Sequence, residues 1–135
     1  MIDTTQTEED ILDQIKTVLP RVYVSEVPDN VDPGDPYIVV YFGDPIRIAT
    51  DHHVENVRHD TMIGYFTVQV ISKTDKAARD IKNRVKSALV GFRPYDSDAI
   101  VAEGGVSRSR SATESVPKMY YRENGYSYLT NMIPD

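Results

Sequence analysis

Between Thr61 and Gly91 the apolar residues recur first at every second position and then at every third or fourth position. Phe66, Val68 and Val70 are separated by single polar residues, which predicts a strand with one buried face. After a capped helix start at Ser72-Lys73-Thr74-Asp75, apolar residues return at helical spacing, and Gly91 is placed to end the helix in the left-handed conformation. The apolar helical positions are Ala78, Ile81, Val85 and Leu89. Strand and helix are each amphipathic, so we expect them to pack together as the core.

The same reading predicts a second helix and several strands. Thr7 begins a helix of about three turns that Pro20 ends, and its apolar stripe needs a surface to dock on. Arg21–Val24 reads as a short strand. Tyr37–Phe42 is almost continuously apolar, which predicts a strand buried on both faces. Ile100–Ala102 is a third short strand candidate.

The end of the chain carries the sequence signal of a hairpin. Asn124-Gly125 suits a two-residue turn, which would place Tyr121 opposite Tyr128 and Tyr120 opposite Leu129. One face of such a hairpin covers the core, so the tyrosines predict either cross-strand packing or, for at least two of them, contact with a partner.

Three further segments have little to bury. Residues 1–6 are expected to form a flexible tail. Residues 43–60 alternate weakly between apolar and charged side chains, which predicts a long protruding β-hairpin arm. Residues 104–115 are small and polar, which predicts a flexible loop. The fold class is therefore a single α+β domain over 1–135. We expect a mostly antiparallel sheet of four to five strands, open to one parallel pairing, with two helices on one face.

Composition narrows the function classes. The chain has 135 residues, a formal net charge of −6 and no cysteine. The charge argues against general affinity for nucleic acid, and the missing thiols exclude disulfides and thiol catalysis. The sequence also shows no apolar run of about 20 residues and no secretory signal at its start, so we expect no membrane association.

Candidate chemistry is weak. His52, His53 and His59 carry metal-ligating groups, but adjacent histidines on a strand point to opposite faces and a protruding arm lacks a rigid coordination shell. Arg108 and Arg110 suit either a solvated loop or contact with an acidic partner. No serine lies in a Gly-x-Ser-x-Gly setting and no carboxylate pair shares a scaffold. We therefore expect no enzyme activity, no cofactor and no metal.

In element order, length and short stretches of sequence, the chain resembles the tail terminator proteins of long-tailed bacteriophages, which complete the tail and join it to the head. The likeness extends over nearly the whole chain. It is carried by Asp10-Ile11-Leu12, Val18-Leu19-Pro20 leading into Val22-Tyr23, Pro36-Tyr37-Ile38-Val39-Val40, Phe66-Thr67-Val68-Gln69-Val70 and Ala77-Ala78-Arg79 with Val85 and Leu89.

The resemblance implies a non-enzymatic homo-oligomer, a hexameric ring that caps the tail tube and stops its polymerisation. Its partners would be the tail tube protein and a head connector or stopper protein, while DNA passes through the lumen without specific binding. The protein would be assembled in the host bacterial cytoplasm and lie in the virion, at the head-proximal end of the tail. Three alternatives stay open: a head-completion or stopper protein of the neck, a prophage-derived part of a contractile machine, and a small metal-dependent enzyme using the three histidines.

Under this reading the arm reaches a neighbouring subunit or the tube, and residues 104–113 become ordered on docking. Subunit or partner contacts are expected at Ile46, Arg47, Ile48, His52, His53, Val54, Arg108, Arg110, Tyr121 and Tyr128.

Overall fold

A computed structural model describes residues 5–27, 35–47, 61–109 and 119–131 of the chain. Eight elements lie within these ranges. They are α1 (Thr5–Lys16), β1 (Val22–Val24), β2 (Tyr37–Phe42), β3 (Ile46–Arg47), β4 (Thr61–Ser72), α2 (Asp75–Leu89), β5 (Val101–Ser109) and β6 (Tyr120–Asn131).

The strands form one mixed sheet in the order β1-β2-β4-β6-β5. β1 and β2 are parallel, and the remaining pairs are antiparallel. β3 pairs with the first residues of β4. Phe42 of β2 lies opposite Phe66, whereas Ile46 of β3 lies opposite Ile63, so the register against β4 shifts by one residue between β2 and β3. β3 therefore continues β2 after a bulge. The predicted α+β class with a mostly antiparallel sheet is confirmed, and β1 with β2 supplies the one parallel pairing that the sequence left open.

Both helices pack on one face of this sheet and enclose the main core. Ile11 and Ile15 of α1 and Val85 and Leu89 of α2 are buried with the even-numbered residues of β4. The helices lie side by side, and the Gln14 side chain donates a hydrogen bond of 2.9 Å to the carbonyl of Ala88. Burying these two apolar stripes stabilises helices that are too short to persist alone.

The predicted boundaries of α2 are confirmed. The Thr74 hydroxyl accepts a hydrogen bond of 3.2 Å from the amide of Ala77, which is the N-cap arrangement. Gly91 has a φ of +90°, the left-handed conformation that glycine adopts without strain. Its amide donates to the carbonyl of Ile100 at 3.0 Å, so the end of the helix is fixed to the residue before β5.

The terminal hairpin prediction is wrong. β6 runs without a turn through Asn124 and Gly125 and pairs along its full length with β4. Tyr121 therefore lies opposite Ile71 and Tyr128 opposite Gly64, not opposite each other. A ladder of this length between two neighbouring strands outweighs the local turn preference of one Asn-Gly pair.

The predicted tail, arm and loop each overlap a regular element of the structure. β5 extends to Ser109, with a bulge at Gly104, whose φ is +95°, so residues 105–109 of the predicted flexible loop 104–115 are paired with β6. α1 begins at Thr5, inside the predicted tail 1–6. Of the predicted arm 43–60, β3 forms the base. Residues 48–60 and 110–115 lie outside the described residues.

Candidate protein-interaction surface

The two faces of the sheet differ in what covers them. Successive strand residues point to opposite faces, so the even-numbered residues of β4 face the helices and the odd-numbered ones face away. We call the second surface the open face. On β4 it carries Ile63, Tyr65, Thr67, Gln69 and Ile71.

One end of the open face is closed by the chain itself. Val39, Ile71 and Met119 are buried there, and Tyr37 and Tyr121 pack against them. The rings of Tyr23 and Tyr37 meet edge to face with centroids 5.8 Å apart, and the Arg21 guanidinium lies 5.5 Å from the centroid of the Tyr37 ring. Burial here raises the pKa of Tyr37. This end is therefore a small second core.

The other end of the open face leaves large apolar side chains in solvent. We call this set the apolar patch. It consists of Tyr41 (42% exposed), Ile46 (59%), Tyr65 (41%), Val101 (50%) and Leu129 (39%). Exposed apolar residues scattered singly are normal on a protein surface, whereas contiguous ones mark interaction sites.

The strand registers show that the patch is contiguous. Ile63 lies between Ile46 of β3 and Leu129 of β6, which makes one row across three strands. In the next row Tyr65 and Val101 lie on either side of Ser127. Neighbours in such rows are about 5 Å apart, so the side chains form one surface.

A groove with an acidic rim borders the patch. Its apolar lining includes Ile63, Tyr65, Val101 and Leu129, and the acidic residues Asp98 and Glu103 also line it, a pair that we call the rim. Two hydrogen bonds fix the rim. The Ser127 hydroxyl donates to Glu103 Oε1, and the amide of Asp98 donates to the carbonyl of Leu129 at 2.7 Å. This acidic groove suits an extended segment that carries both apolar and basic side chains.

The predicted contact residues fall in different environments. Ile46 belongs to the apolar patch, and Tyr121 packs into the second core at the far end of the same face. Arg47 lies in β3, and Arg108 lies in β5 opposite Tyr121. The remaining predicted contact residues lie outside the described residues. They are Ile48, His52, His53, Val54 and Arg110.

Tyr128, which was also expected to meet a partner, is a core residue of the described structure. Its side chain is 4% exposed, and its ring lies over Gly64, where an added Cβ would overlap it. Burial, with the carboxylate of Glu8 nearby, raises the pKa of Tyr128 to about 12. Tyr126 is also buried, with its ring stacked on Phe66 at a centroid distance of 5.2 Å. The helix-covered face takes these tyrosines because β6 does not turn back.

Of the two exposed tyrosines on the open face, sequence reasoning missed Tyr41 and placed Tyr65 correctly. Tyr41 was expected to be buried, since Tyr37–Phe42 is almost continuously apolar, yet β2 buries only its middle residues Ile38 to Val40 on both faces. Tyr65 alternates with the buried Phe66, so the period of β4 already placed it on the opposite face.

The described ranges contain neither a group of metal-ligating side chains nor a membrane-spanning helix. No three His, Asp or Glu side chains there are grouped closely enough to hold a metal ion. The three histidines of the arm lie outside these ranges. No helix within the described ranges is long and apolar enough to cross a membrane.

Several solved structures have a fold similar to that of this chain. One is a protein from the virion of a native gene transfer agent particle, which matches with a TM-score of 0.63 at 15% sequence identity, and the alignment covers 91% of this chain and 92% of that one. Another solved structure matches with a TM-score of 0.58 at 12% identity, over 96% of this chain and 94% of that one. No family model and no curated protein matches the sequence. The chain is therefore similar in fold to both solved proteins along nearly its whole length.

Proposed function

We propose that this protein is a non-enzymatic structural component of a phage-like virion, and that it terminates the tail. In this role copies of the chain form a ring on the last layer of the tail tube. The ring stops tube polymerisation and offers its other side to the head connector. The gene transfer agent protein with the same fold comes from a particle of this general kind.

The observation that carries the proposal is the likeness to a virion protein along both chains, over 91% of one and 92% of the other. The choice of tail terminator among virion proteins comes from the resemblance in element order and local sequence described above.

The apolar patch supports a role in assembly. A side chain such as Ile46, 59% exposed on a sheet face, gains free energy when a partner removes it from water. A ring needs two different surfaces on each subunit, one for each neighbour, and these contacts must close on themselves. The open face provides one such surface. The arm 43–60 continues from β3 at the edge of the patch and would provide another contact, with a neighbour or with the tube.

Deletion of the gene from the phage or prophage that encodes it tests the proposal. We expect tails of uncontrolled length, free heads filled with DNA and a loss of joined particles, all visible by negative-stain electron microscopy. Supplying the natural gene in trans should restore tail length and joining. Tails of normal length that join normally to heads would contradict the proposal.

Gene deletion also distinguishes a tail terminator from a head-completion or stopper protein. A head-completion or stopper protein acts on the head, so its loss would leave tails of normal length beside heads that lose DNA. Purified protein would then bind DNA-filled heads, whereas a terminator binds purified tail tubes.

The metal-enzyme alternative has its own test. Metal analysis of the purified protein and of a His52→Ala/His53→Ala variant would detect a site on the arm. We expect no stoichiometric ion in either protein. An ion present in the natural protein and lost in the variant would favour an enzyme over a structural role.

A further inference from the structure

We propose that the acidic groove receives residues 110–118 of a second copy of this chain, so that each subunit inserts a basic segment into the open face of the next. The inference rests on the proposed ring and names the contact that would build it. The groove is formed by described residues, and the segment joins Ser109 of β5 to Met119 just before β6.

Charge complementarity selects this segment. Residues 110–118 contain Arg110 and Lys118 against the single carboxylate of Glu114, so the segment is basic in a chain of net charge −6. It also carries Val116 and Pro117, which suit the apolar lining of the groove. Asp98 and Glu103 on the rim attract cations, and opposite charges that meet at an interface fix its register.

A neighbouring segment of the chain has the wrong charge for the groove. Residues 48–60 leave β3 beside the apolar patch, but they contain three carboxylates, Asp51, Glu55 and Asp60, against one guanidinium, Arg58. Placing this segment between Asp98 and Glu103 would bring like charges together, which is unfavourable.

The length of residues 110–118 keeps them from the Asp98 end of the groove in the same chain. Ser109 pairs with Tyr120 at one end of the sheet, whereas the amide of Asp98 donates to the carbonyl of Leu129 near the other end. Nine strand residues separate Tyr120 from Leu129, a distance of roughly 30 Å. A segment of nine residues with both ends held at β5 and β6 reaches about 17 Å from them when fully extended out and back. Residues 110–118 can therefore contact both Asp98 and Glu103 only in another copy.

This contact has a direction. Each subunit donates from one end of its sheet and accepts near the other end, so the same contact repeats from subunit to subunit. Such a heterologous contact closes into a ring when the rotation between subunits fits a whole number of copies. It thereby gives the proposed ring a defined head-to-tail interface.

Cysteine cross-linking tests the contact directly, because the natural chain has no cysteine. A Val101→Cys variant marks the groove and a Ser111→Cys variant marks the segment. We expect mild oxidation to give disulfide-linked dimers when the two variants are mixed, and a ladder of covalent multimers from the double variant. The reaction is run on concentrated protein and on particles assembled with the variants. A Ser87→Cys variant on the exposed side of α2 replaces Val101→Cys in the control and should give at least tenfold less dimer.

Three outcomes would overturn the inference. One is a double variant that links only within its own chain, since the segment would then reach its own groove. Another is cross-linking of Ser87→Cys as efficient as that of Val101→Cys. The third is no Val101–Ser111 link in either setting. If the cross-link is absent but gene deletion still disrupts the tails, the proposed function stands and the proposed contact is wrong. If the cross-link forms specifically but gene deletion leaves the tails normal, the proposed function is wrong and the contact stands.

A charge exchange provides an independent test. Asp98→Lys and Arg110→Glu should each lower the yield of Val101–Ser111 cross-links about tenfold, and their combination should restore most of it. Asp80→Lys makes the same charge change on the exposed surface of α2 and should have no effect. No loss from either single change, or no recovery in the combination, would contradict the proposal that charge pairing holds the segment in the groove.

Discussion

The helix-covered face and the open face of the sheet use the same kinds of residues for different purposes. On the covered face Tyr126 and Tyr128 are 1% and 4% exposed, whereas on the open face Tyr41 and Tyr65 are 42% and 41% exposed. Two helices remove the first pair from water, and the described residues leave the second pair in contact with it. Residue type alone therefore says little about role in this protein. The face on which a residue lies decides whether it stabilises the fold or is free to stabilise an assembly.

The largest expected difference between the two faces comes from truncating a leucine to alanine on each of them. Leu89→Ala deletes a fully buried side chain between α2 and the sheet, and we expect a loss of about 2–5 kcal/mol in the free energy of unfolding. Leu129→Ala on the open face should cost about 1 kcal/mol or less, because that side chain already contacts solvent. Urea denaturation of the monomer gives both values. Equal losses would mean that the open face is part of the folding core.

The assembly readout should reverse this order. Leu129→Ala should weaken the Val101–Ser111 cross-link, whereas Leu89→Ala, at a temperature where it stays folded, should not. A cross-link unaffected by Leu129→Ala would mean that the patch does not contribute to the contact.

A second test compares Gly64 of β4 with Gly43, which follows β2. A Cβ on Gly64 would overlap the Tyr128 ring, so Gly64→Ala should lower the free energy of unfolding by roughly 1–3 kcal/mol. Gly43→Ala is the matched control, because its Cβ would meet the Tyr65 carbonyl oxygen at an ordinary 3.5 Å. Thermal melts of both variants measure the difference. If Gly64→Ala melts at the same temperature as the natural protein, the Tyr128 ring does not lie over that glycine.

Alkaline titration distinguishes the buried tyrosine from the exposed ones. The folded protein holds the Tyr128 proton up to a pKa of about 12, whereas the unfolded chain releases it near the ordinary value of 10. The unfolded state therefore binds fewer protons between these pH values, and stability should fall as pH rises from 10 to 12. Tyr128→Phe should make this fall shallower, as measured by urea midpoints across that range, and Tyr65→Phe should not. An unchanged slope in Tyr128→Phe would show that another group causes the alkaline loss.

The smallest effect is expected at the start of α2. The Arg122 guanidinium contacts both carboxylate oxygens of Asp75, at 2.7 and 2.6 Å, and this hydrogen bonding lowers the pKa of Asp75 from 3.8. The pair therefore stabilises the fold at pH values above 3.8, and its contribution is lost as pH falls through the lower folded-state pKa. Asp75→Asn should melt slightly below the natural protein at neutral pH, and the gap should close in acid. A gap that is the same at pH 7 and pH 2 would assign the effect to helix capping.

The correction at Asn124 and Gly125 shows the limit of local signals. The pair has the composition of a tight turn, but the structure pairs these residues with Val68 and Thr67 in the middle of a long ladder. A turn there would leave the inner half of β4 without its neighbour. Sequence reasoning sees the preference of two residues, while the fold responds to all the hydrogen bonds of the strand.

The sequence by itself determined the parts of this protein that depend on neighbours along the chain. The period of three to four residues in α2, the capped start within Ser72–Asp75, the glycine at position 91 and the alternation in β4 could each be recognised from neighbouring residues, and together they indicated an α+β fold. Only the tertiary structure decided which faces Tyr126 and Tyr128 occupy and which exposed side chains meet as one patch. The physical reason is that strand pairing joins residues far apart in sequence, such as Ile46, Ile63 and Leu129, and their register is set by the whole sheet.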